Sequence, residues 1–303
     1  MHSRHELNGL TWVDLESPSR EEVQDAVDQF AIEPIVAEEL LLPSTKPHAE
    51  FYPSYAYLVL HFPALRHSHK TREQEIDFIV GRNFLITAHY DTIDSLHKFT
   101  KVFEVNALLE KNVIGEHAGF ILLAMLKKLY KAVEHEVEYI RHDLAVIEEH
   151  IFSGHEVEMV PAISRAARDL LNLRQVIEPH REVLKEFEID AIEFFGAEFA
   201  PNLKKLSDDY YRVHNHIMRE TESLHELRES NNSLLSTKQN ETMKVFTILA
   251  FTTFPLTLIA AVFSMDTKYT PIVGAPNDFW IIIAGMVAMT FCMFWYFKHK
   301  NWL

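Results

Sequence analysis

The chain has 303 residues and a formal net charge of −15 at pH 7. This excess of acidic side chains argues against nucleic acid as a partner, because nucleic-acid binding needs a basic surface. The single cysteine, Cys292, excludes a disulfide within the chain and favours a reducing compartment for most of the protein.

Residues 1–115 are predicted to form a mixed α/β domain. Residues 10–15 alternate in polarity as a strand does, and Ser17-Pro18 predicts the start of a helix over 18–30. Gly81-Arg82-Asn83 predicts a hairpin turn. Further strands are expected at 55–62, 75–80 and 84–89, and a further helix over 92–105.

Residues 116–200 are poor in glycine and proline and rich in charge, which predicts long antiparallel helices. Apolar residues recur at helical spacing over 117–152 and 157–189, with a turn near Phe152-Ser153-Gly154. The many glutamates of these segments are typical of solvated helix faces.

A stalk helix is predicted over residues 201–263, beginning at Pro201. A helix of roughly 60 residues extends for about 90 Å and needs neighbours, which identical copies around an axis supply most simply. Its apolar stripe consists of Leu206, Val213, Ile217, Leu224, Leu227, Leu234 and Leu235.

The chain ends in a predicted membrane hairpin. Residues 246–263 and 279–297 carry no charged side chain and are long enough to span a bilayer. The loop 264–278 separates them, and the tail 298–303 is basic. Lysines flank the end of each span that lies away from the loop, at positions 238, 244, 298 and 300. This distribution predicts a multi-pass protein of the cell (inner) membrane with both termini in the cytoplasm.

No enzyme and no covalent cofactor is expected. A glycine-rich phosphate loop, a Gly-x-Ser-x-Gly turn and a cysteine pair for zinc are all missing from the sequence. The 18 histidines leave open a zinc or nickel interpretation. The groups considered are His67 with His69, His214 with His216, and His135 with His142 and His150.

Several segments resemble the CorA-type magnesium transporters, a family of metal-ion transporters with two membrane helices. The C-terminal ones are Asn240-Glu241-Thr242-Met243-Lys244, Pro255-Leu256-Thr257-Leu258-Ile259-Ala260 and the ending Trp302-Leu303. More loosely, Trp12-Val13-Asp14-Leu15 with Pro18, and Gly81-Arg82-Asn83-Phe84-Leu85-Ile86-Thr87, resemble the cytoplasmic domain of that family.

The resemblance implies a homopentameric funnel in the lipid bilayer, with Mg²⁺ or another divalent cation as the transported ion. Each subunit is expected to line a central pore with one face of its long helix. The pore residues implied are Asn240, Met243, Phe246, Ala250, Phe254, Thr257, Ala261, Ser264 and Asp266. The bulky apolar members, Met243, Phe246 and Phe254, are expected to gate the pore by dewetting.

The pore mouth departs from the family pattern. The family carries Gly-Met-Asn where this chain has Ser264-Met265-Asp266. Five Asp266 side chains would form a carboxylate ring, as cation pores use. Three hypotheses follow: a Mg²⁺ channel, a zinc or other transition-metal transporter of the same fold, and a CorA-like membrane scaffold or sensor that does not transport.

Regulatory metal sites in this family use carboxylates between neighbouring cytoplasmic domains. The resemblance points to Asp208 and Asp209 on the long helix and to Asp91 or Asp94 after the last strand. Ordinary solvated acids remain the alternative for all four positions.

Overall fold

The structure, a computed structural model, describes residues 2–7, 9–64, 73–90, 116–265, 272, 274, 277–300 and 302. The chain divides into two compact units, Met1–Arg228 and Glu229–Leu303. The N-terminal unit contains a β-sheet and its covering helices. The C-terminal unit contains the end of the longest helix and one further helix.

A six-stranded sheet organises the N-terminal unit, in the spatial order β1-β2-β6-β5-β4-β3. Among the described strands, β2 and β6 run parallel and the other neighbouring pairs run antiparallel. The strands are β1 (His2–Leu7), β2 (Leu10–Glu16), β3 (His48–Phe51), β4 (Tyr55–Pro63), β5 (Glu73–Gly81) and β6 (Phe84–His89).

The predicted central strands and their hairpin are confirmed. All nine residues of β4 are buried, as a continuous apolar run predicts for a strand covered on both faces. Strands β5 and β6 pair with Val80 opposite Leu85, across the turn at Gly81-Arg82-Asn83. A Cβ on Gly81 would lie 2.3 Å from the Phe84 ring. A side chain at this position would have to displace the Phe84 ring, which packs over the turn.

One face of the sheet packs against two short helices, α1 (Arg20–Phe30) and α2 (Pro34–Glu39). The predicted start of α1 was wrong, because Ser19 and not Ser17 is the N-cap. The Ser19 hydroxyl accepts from the Glu22 N–H (3.2 Å), and the Glu22 carboxylate accepts from the Ser19 N–H (3.0 Å). This reciprocal capping box satisfies two backbone donors. The Ser17 hydroxyl instead donates to the Tyr90 carbonyl (2.9 Å).

Helices α3 (Gly119–Phe152), α4 (Glu156–Ile177) and α5 (His180–Phe195) complete the cover of the sheet. The turn predicted near residues 152–154 is confirmed, with Gly154 at a φ of +95°. The single helix predicted over 157–189 was wrong. Pro179 interrupts it, because proline has no N–H to donate to the helical ladder.

The longest helix is α6 (Ala200–Phe263), with 64 residues. It follows a 3₁₀ turn at Ala197–Phe199, and its length confirms the predicted continuity. Five members of the predicted apolar stripe are buried, and Leu234 and Leu235 are partly exposed. The last helix, α7, spans Asp278–His299. The sequence pattern gave no indication of β1, β3 or α2, and the helix predicted over 92–105 lies outside the described residues.

A buried histidine links α5 to the sheet and to α3. His180 is fully buried. Its Nε2–H donates to the His61 carbonyl (2.7 Å), so Nδ1 is left to accept from the Tyr130 hydroxyl (2.8 Å). Burial lowers the pKa of His180 to about 4, because a charged imidazolium loses its hydration there. The folded chain therefore holds His180 in its neutral form.

This histidine predicts a loss of stability in acid. The unfolded chain binds the proton at the ordinary pKa of about 6.5, so stability is complete above that pH and falls as pH drops toward 4. Between pH 7 and pH 5, His180 alone should lower the free energy of unfolding by about 2 kcal/mol. Denaturant unfolding of the detergent-solubilised full chain at both pH values measures this change.

The variant His180→Gln is the matched control, because its amide can still donate to the His61 carbonyl but does not titrate. We expect it to be less stable at pH 7 and to lose less stability between pH 7 and pH 5. The change with pH is the readout, which separates titration from lost packing. Equal losses in the two proteins would contradict this role.

Candidate functional site

Two of the described helices, α6 and α7, are long and apolar enough to cross a membrane. The most apolar stretch of each is left unburied by the described chain. A core helix of a soluble protein would be covered along such a stretch. The pattern is therefore that of membrane spans, as the sequence predicts.

One face of α6 carries the residues implied for the pore. We call this the candidate pore face and define it as Asn240, Met243, Phe246, Ala250, Phe254, Thr257, Ala261 and Ser264. Every one of these side chains is exposed in the single chain. Steps of three and four residues keep them within one side of the helix.

The opposite face of α6 is partly buried. Its half-buried side chains include Ile248, Thr252, Leu256, Ile259 and Phe263. On α7, a matching stripe of lower exposure runs through Ile282, Met286, Thr290, Met293 and Phe297. At 3.6 residues per turn, the partly buried face lies about half a turn from the candidate pore face. The candidate pore face is therefore the more exposed side of α6.

The candidate pore face changes in character along its length. Its N-terminal half presents Met243 at 57% exposure and Phe246 at 61%, followed by Phe254 at 71%. From Thr257 onward its residues are small or polar. Bulky apolar side chains repel water, whereas small or polar side chains leave room for a hydrated ion.

The hydroxyl of Thr257 is oriented by the backbone. Its Oγ1 donates to the Thr253 carbonyl (2.9 Å). That bond uses the only hydroxyl proton and leaves the oxygen lone pairs free to accept. An acceptor of this kind suits the water shell of a cation, because coordinated waters donate hydrogen bonds outward.

Helix α6 ends at Phe263, the residue before Ser264-Met265-Asp266. The Ser264 N–H donates to the carbonyls of Ala260 and Ala261, and the Met265 N–H donates to that of Val262 (3.3 Å). The chain therefore leaves the helix at Ser264-Met265. Asp266, the predicted ion-capturing residue, lies outside the described residues.

The predicted regulatory acids are described only on α6. Asp208 is exposed and Asp209 is partly buried. Arg212 forms an ion pair with Asp209 and also lies 3.4 Å from the Glu134 carboxylate of α3. A metal at Asp209 would have to compete with this arginine. Asp91 and Asp94 lie outside the described residues.

The described histidines do not gather into a metal site. Within residues 2–7, 9–64, 73–90, 116–265 and 277–300, no three His, Cys, Asp or Glu side chains are placed to hold a metal ion. His216 lies 3.9 Å from Glu134, which gives that ring a neighbouring carboxylate but not a ligand set. His67 and His69 lie outside the described residues.

A pair of buried carboxyls in β5 was not singled out by the sequence pattern. Asp77 is fully buried, and burial raises its pKa well above the ordinary value, with Glu75 raising it further. The Ser44 N–H donates to Glu75 (2.8 Å), and the His61 ring lies 3.4 Å from the same carboxylate. The alternation of acids at 73, 75 and 77 was the available signal, because alternate strand residues share a face.

Comparison with known proteins agrees with this architecture. A cobalt/magnesium transport protein CorA of Thermotoga maritima is 27% identical, over 97% of this chain and 83% of its own length. A putative metal ion transporter, YfjQ of Bacillus subtilis, is 22% identical over 96% of this chain and 89% of its own length.

A solved structure has the same fold over nearly the whole chain. The complete CorA magnesium transporter from Methanocaldococcus jannaschii matches with a TM-score of 0.84 at 19% identity, covering 97% of this chain and 92% of that one. Residues 8–299 match the family described as CorA-like Mg²⁺ transporter protein. The chain therefore belongs to the CorA-like Mg²⁺ transporter family, whose members are membrane transport channels and not enzymes.

Proposed function

We propose that this chain forms a homopentameric channel for divalent cations, with Mg²⁺ as the principal ion. The observation that carries the proposal is the uncovered face of α6, which changes from apolar at Phe246 to small and polar beyond Thr257. Five such faces around an axis make a pore with an apolar constriction at one end and a polar mouth at the other.

The orientation follows from the lysines that flank the spans. Both termini face the cytoplasm and the loop 264–278 faces the outside of the inner membrane. The candidate pore face then presents Asn240 and Met243 to the cytoplasm and Ser264 to the outer mouth.

Asp266 captures the cation at that mouth in this proposal. Mg²⁺ gives up its water reluctantly, so a ring of carboxylate oxygens acts best on the hydrated ion. The charge that Asp266 adds to the family's usual asparagine strengthens attraction for a divalent ion. Neighbouring carboxylates in a ring also raise one another's pKa, which makes capture weaker in acid.

Removing the carboxylate ring should weaken capture of the cation. We expect Asp266→Ala to reduce Mg²⁺ uptake into proteoliposomes by about tenfold or more, a loss that corresponds to about 1.4 kcal/mol of ion binding. Uptake is read with a magnesium-sensitive dye inside the vesicles. The isosteric Asp266→Asn retains an oxygen and should keep uptake, with half-saturation at higher Mg²⁺. Unchanged uptake by Asp266→Ala in intact pentamers would refute the role of the ring.

A transition-metal carrier is the second transport hypothesis, favoured by the altered signature Ser264-Met265-Asp266. The described histidines add no ligand set to support it. Competition between metal ions distinguishes the Mg²⁺ channel from the transition-metal carrier, because oxygen donors suit Mg²⁺ whereas imidazole and thiolate suit Zn²⁺. We expect Mg²⁺ uptake by the wild-type chain to persist at equimolar Zn²⁺, Co²⁺ or Ni²⁺. Accumulation of Zn²⁺ in preference to Mg²⁺ would establish the carrier instead.

The apolar constriction can be tested with a closely matched pair of phenylalanines. Phe254 on the candidate pore face and Phe291 on α7 are 71% and 72% exposed in the single chain. We expect Phe254→Ser to wet the constriction and raise the cation leak at high internal Mg²⁺ by about tenfold. Phe291→Ser should leave the leak unchanged.

The leak is measured as the efflux of Mg²⁺ from preloaded proteoliposomes into Mg²⁺-free buffer. Equal leaks in the two variants would show that the face of α6 bearing Phe254 does not line the pathway. A chain that assembles normally but passes no cation in any variant would favour the non-transporting scaffold.

A further inference from the structure

A cavity opens between the two spans near the C-terminal end of α7. Its volume is about 620 Å³. Of the described lining residues, one comes from α6, Phe251, and the others come from α7 and the tail that follows it. The lining residues are Phe251, Met289, Cys292, Met293, Tyr296, Phe297, Lys300 and Trp302.

The tail shapes one wall of this cavity. The Lys300 N–H donates to the Tyr296 carbonyl (3.1 Å), and the Trp302 N–H donates to the Phe297 carbonyl (3.0 Å). The Trp302 ring stacks on Phe297, with centroids 6.0 Å apart and planes 21° apart. These contacts turn the chain back over the end of α7, so that a basic residue and an indole stand at the border of an apolar space.

The chemistry of the lining is that of an amphiphile. Phenylalanine and methionine side chains offer a surface for a hydrocarbon chain, and methionine adapts to irregular shapes. Lys300 is the one charged side chain among the described residues of the lining. Lys298 lies two residues earlier and is exposed, which adds a second positive charge at this end of the helix.

The level of the cavity in the bilayer indicates which kind of amphiphile it fits. Tryptophan and tyrosine favour the level of the lipid headgroups, and Trp302 and Tyr296 mark that level here. On the cytoplasmic side of a membrane, basic groups between spans attract anionic headgroups. A space beside the bilayer with an apolar floor and a cationic rim is complementary to a lipid that carries a phosphate and a net negative charge.

We propose that this cavity binds an anionic glycerophospholipid of the cytoplasmic leaflet. One acyl chain lies against Phe251, Met289 and Met293, and the phosphate lies at Lys300. The proposal rests on the membrane orientation proposed above, but it does not require that the pore conduct.

Cys292 provides the assay, because it lines the cavity and is the only cysteine in the chain. The full-length protein is reconstituted in vesicles of phosphatidylcholine, alone or with increasing phosphatidylglycerol. The rate at which N-ethylmaleimide modifies Cys292 is followed by mass spectrometry. We expect phosphatidylglycerol to slow the reaction in a saturable way, by about tenfold when the lipid exceeds its Kd tenfold.

Lys300→Gln tests the cationic rim, and Lys244→Gln is its control on α6, outside the lining. We expect Lys300→Gln to lose the protection while reacting at the wild-type rate in pure phosphatidylcholine, which shows that the cavity is intact. Lys244→Gln should keep the protection.

Two results would overturn the proposal. An equal rate of Cys292 modification in the two lipid mixtures would mean that phosphatidylglycerol does not occupy the cavity. Protection by phosphatidylglycerol that survives Lys300→Gln would mean that the rim does not select charge. Neither result depends on cation flux, so failure of the Asp266 experiments and failure of this proposal are distinguishable.

Discussion

The C-terminal unit depends on one constraint: in lipid, every backbone polar group and every polar side chain must find a partner within protein or water. The threonines of α6 meet it locally. The hydroxyls of Thr247, Thr252, Thr253 and Thr257 each donate to the carbonyl four residues earlier. Because their protons are used within the helix, these polar residues lie in the span at low cost. On the candidate pore face, the remaining lone pairs of Thr257 offer an acceptor without a donor, which suits the water around a cation.

The features predicted correctly were those with a strong period in the sequence. The buried run of β4, the β5–β6 hairpin and the continuity of α6 each repeat one pattern over many residues, so local preference and tertiary packing agree. The wrong predictions concern places where a single residue determines whether a helix begins or ends. Pro179 divides a helical pattern that otherwise continues, and Ser19 prevails over Ser17 because only Ser19 has Glu22 three residues later. Strand β3 has four residues, too few for alternation to be recognised.

The residues of the candidate pore face were predicted from the sequence, but the parts of α6 that would be partly buried were not. The resemblance to the family named its residues, and their spacing places them on one side of a helix. Which side of α6 is partly buried depends on how apolar helices pack, and neither α6 nor α7 carries a polar stripe along its span that fixes this in the sequence. Buried carboxyls escape prediction for a related reason. Asp77 looks like a surface residue until the neighbouring strands and α2 surround it.

The arginine beside Asp209 has a consequence for how this chain responds to its surroundings. Arg212 lies between the carboxylates of Asp209 and Glu134, and an arginine side chain stays charged at every physiological pH. These acids therefore have a counterion built into the chain, which no chelator can remove and no metal shortage can withdraw. The contact between α3 and α6 therefore keeps a positive charge beside its two carboxylates whether divalent ions are scarce or abundant.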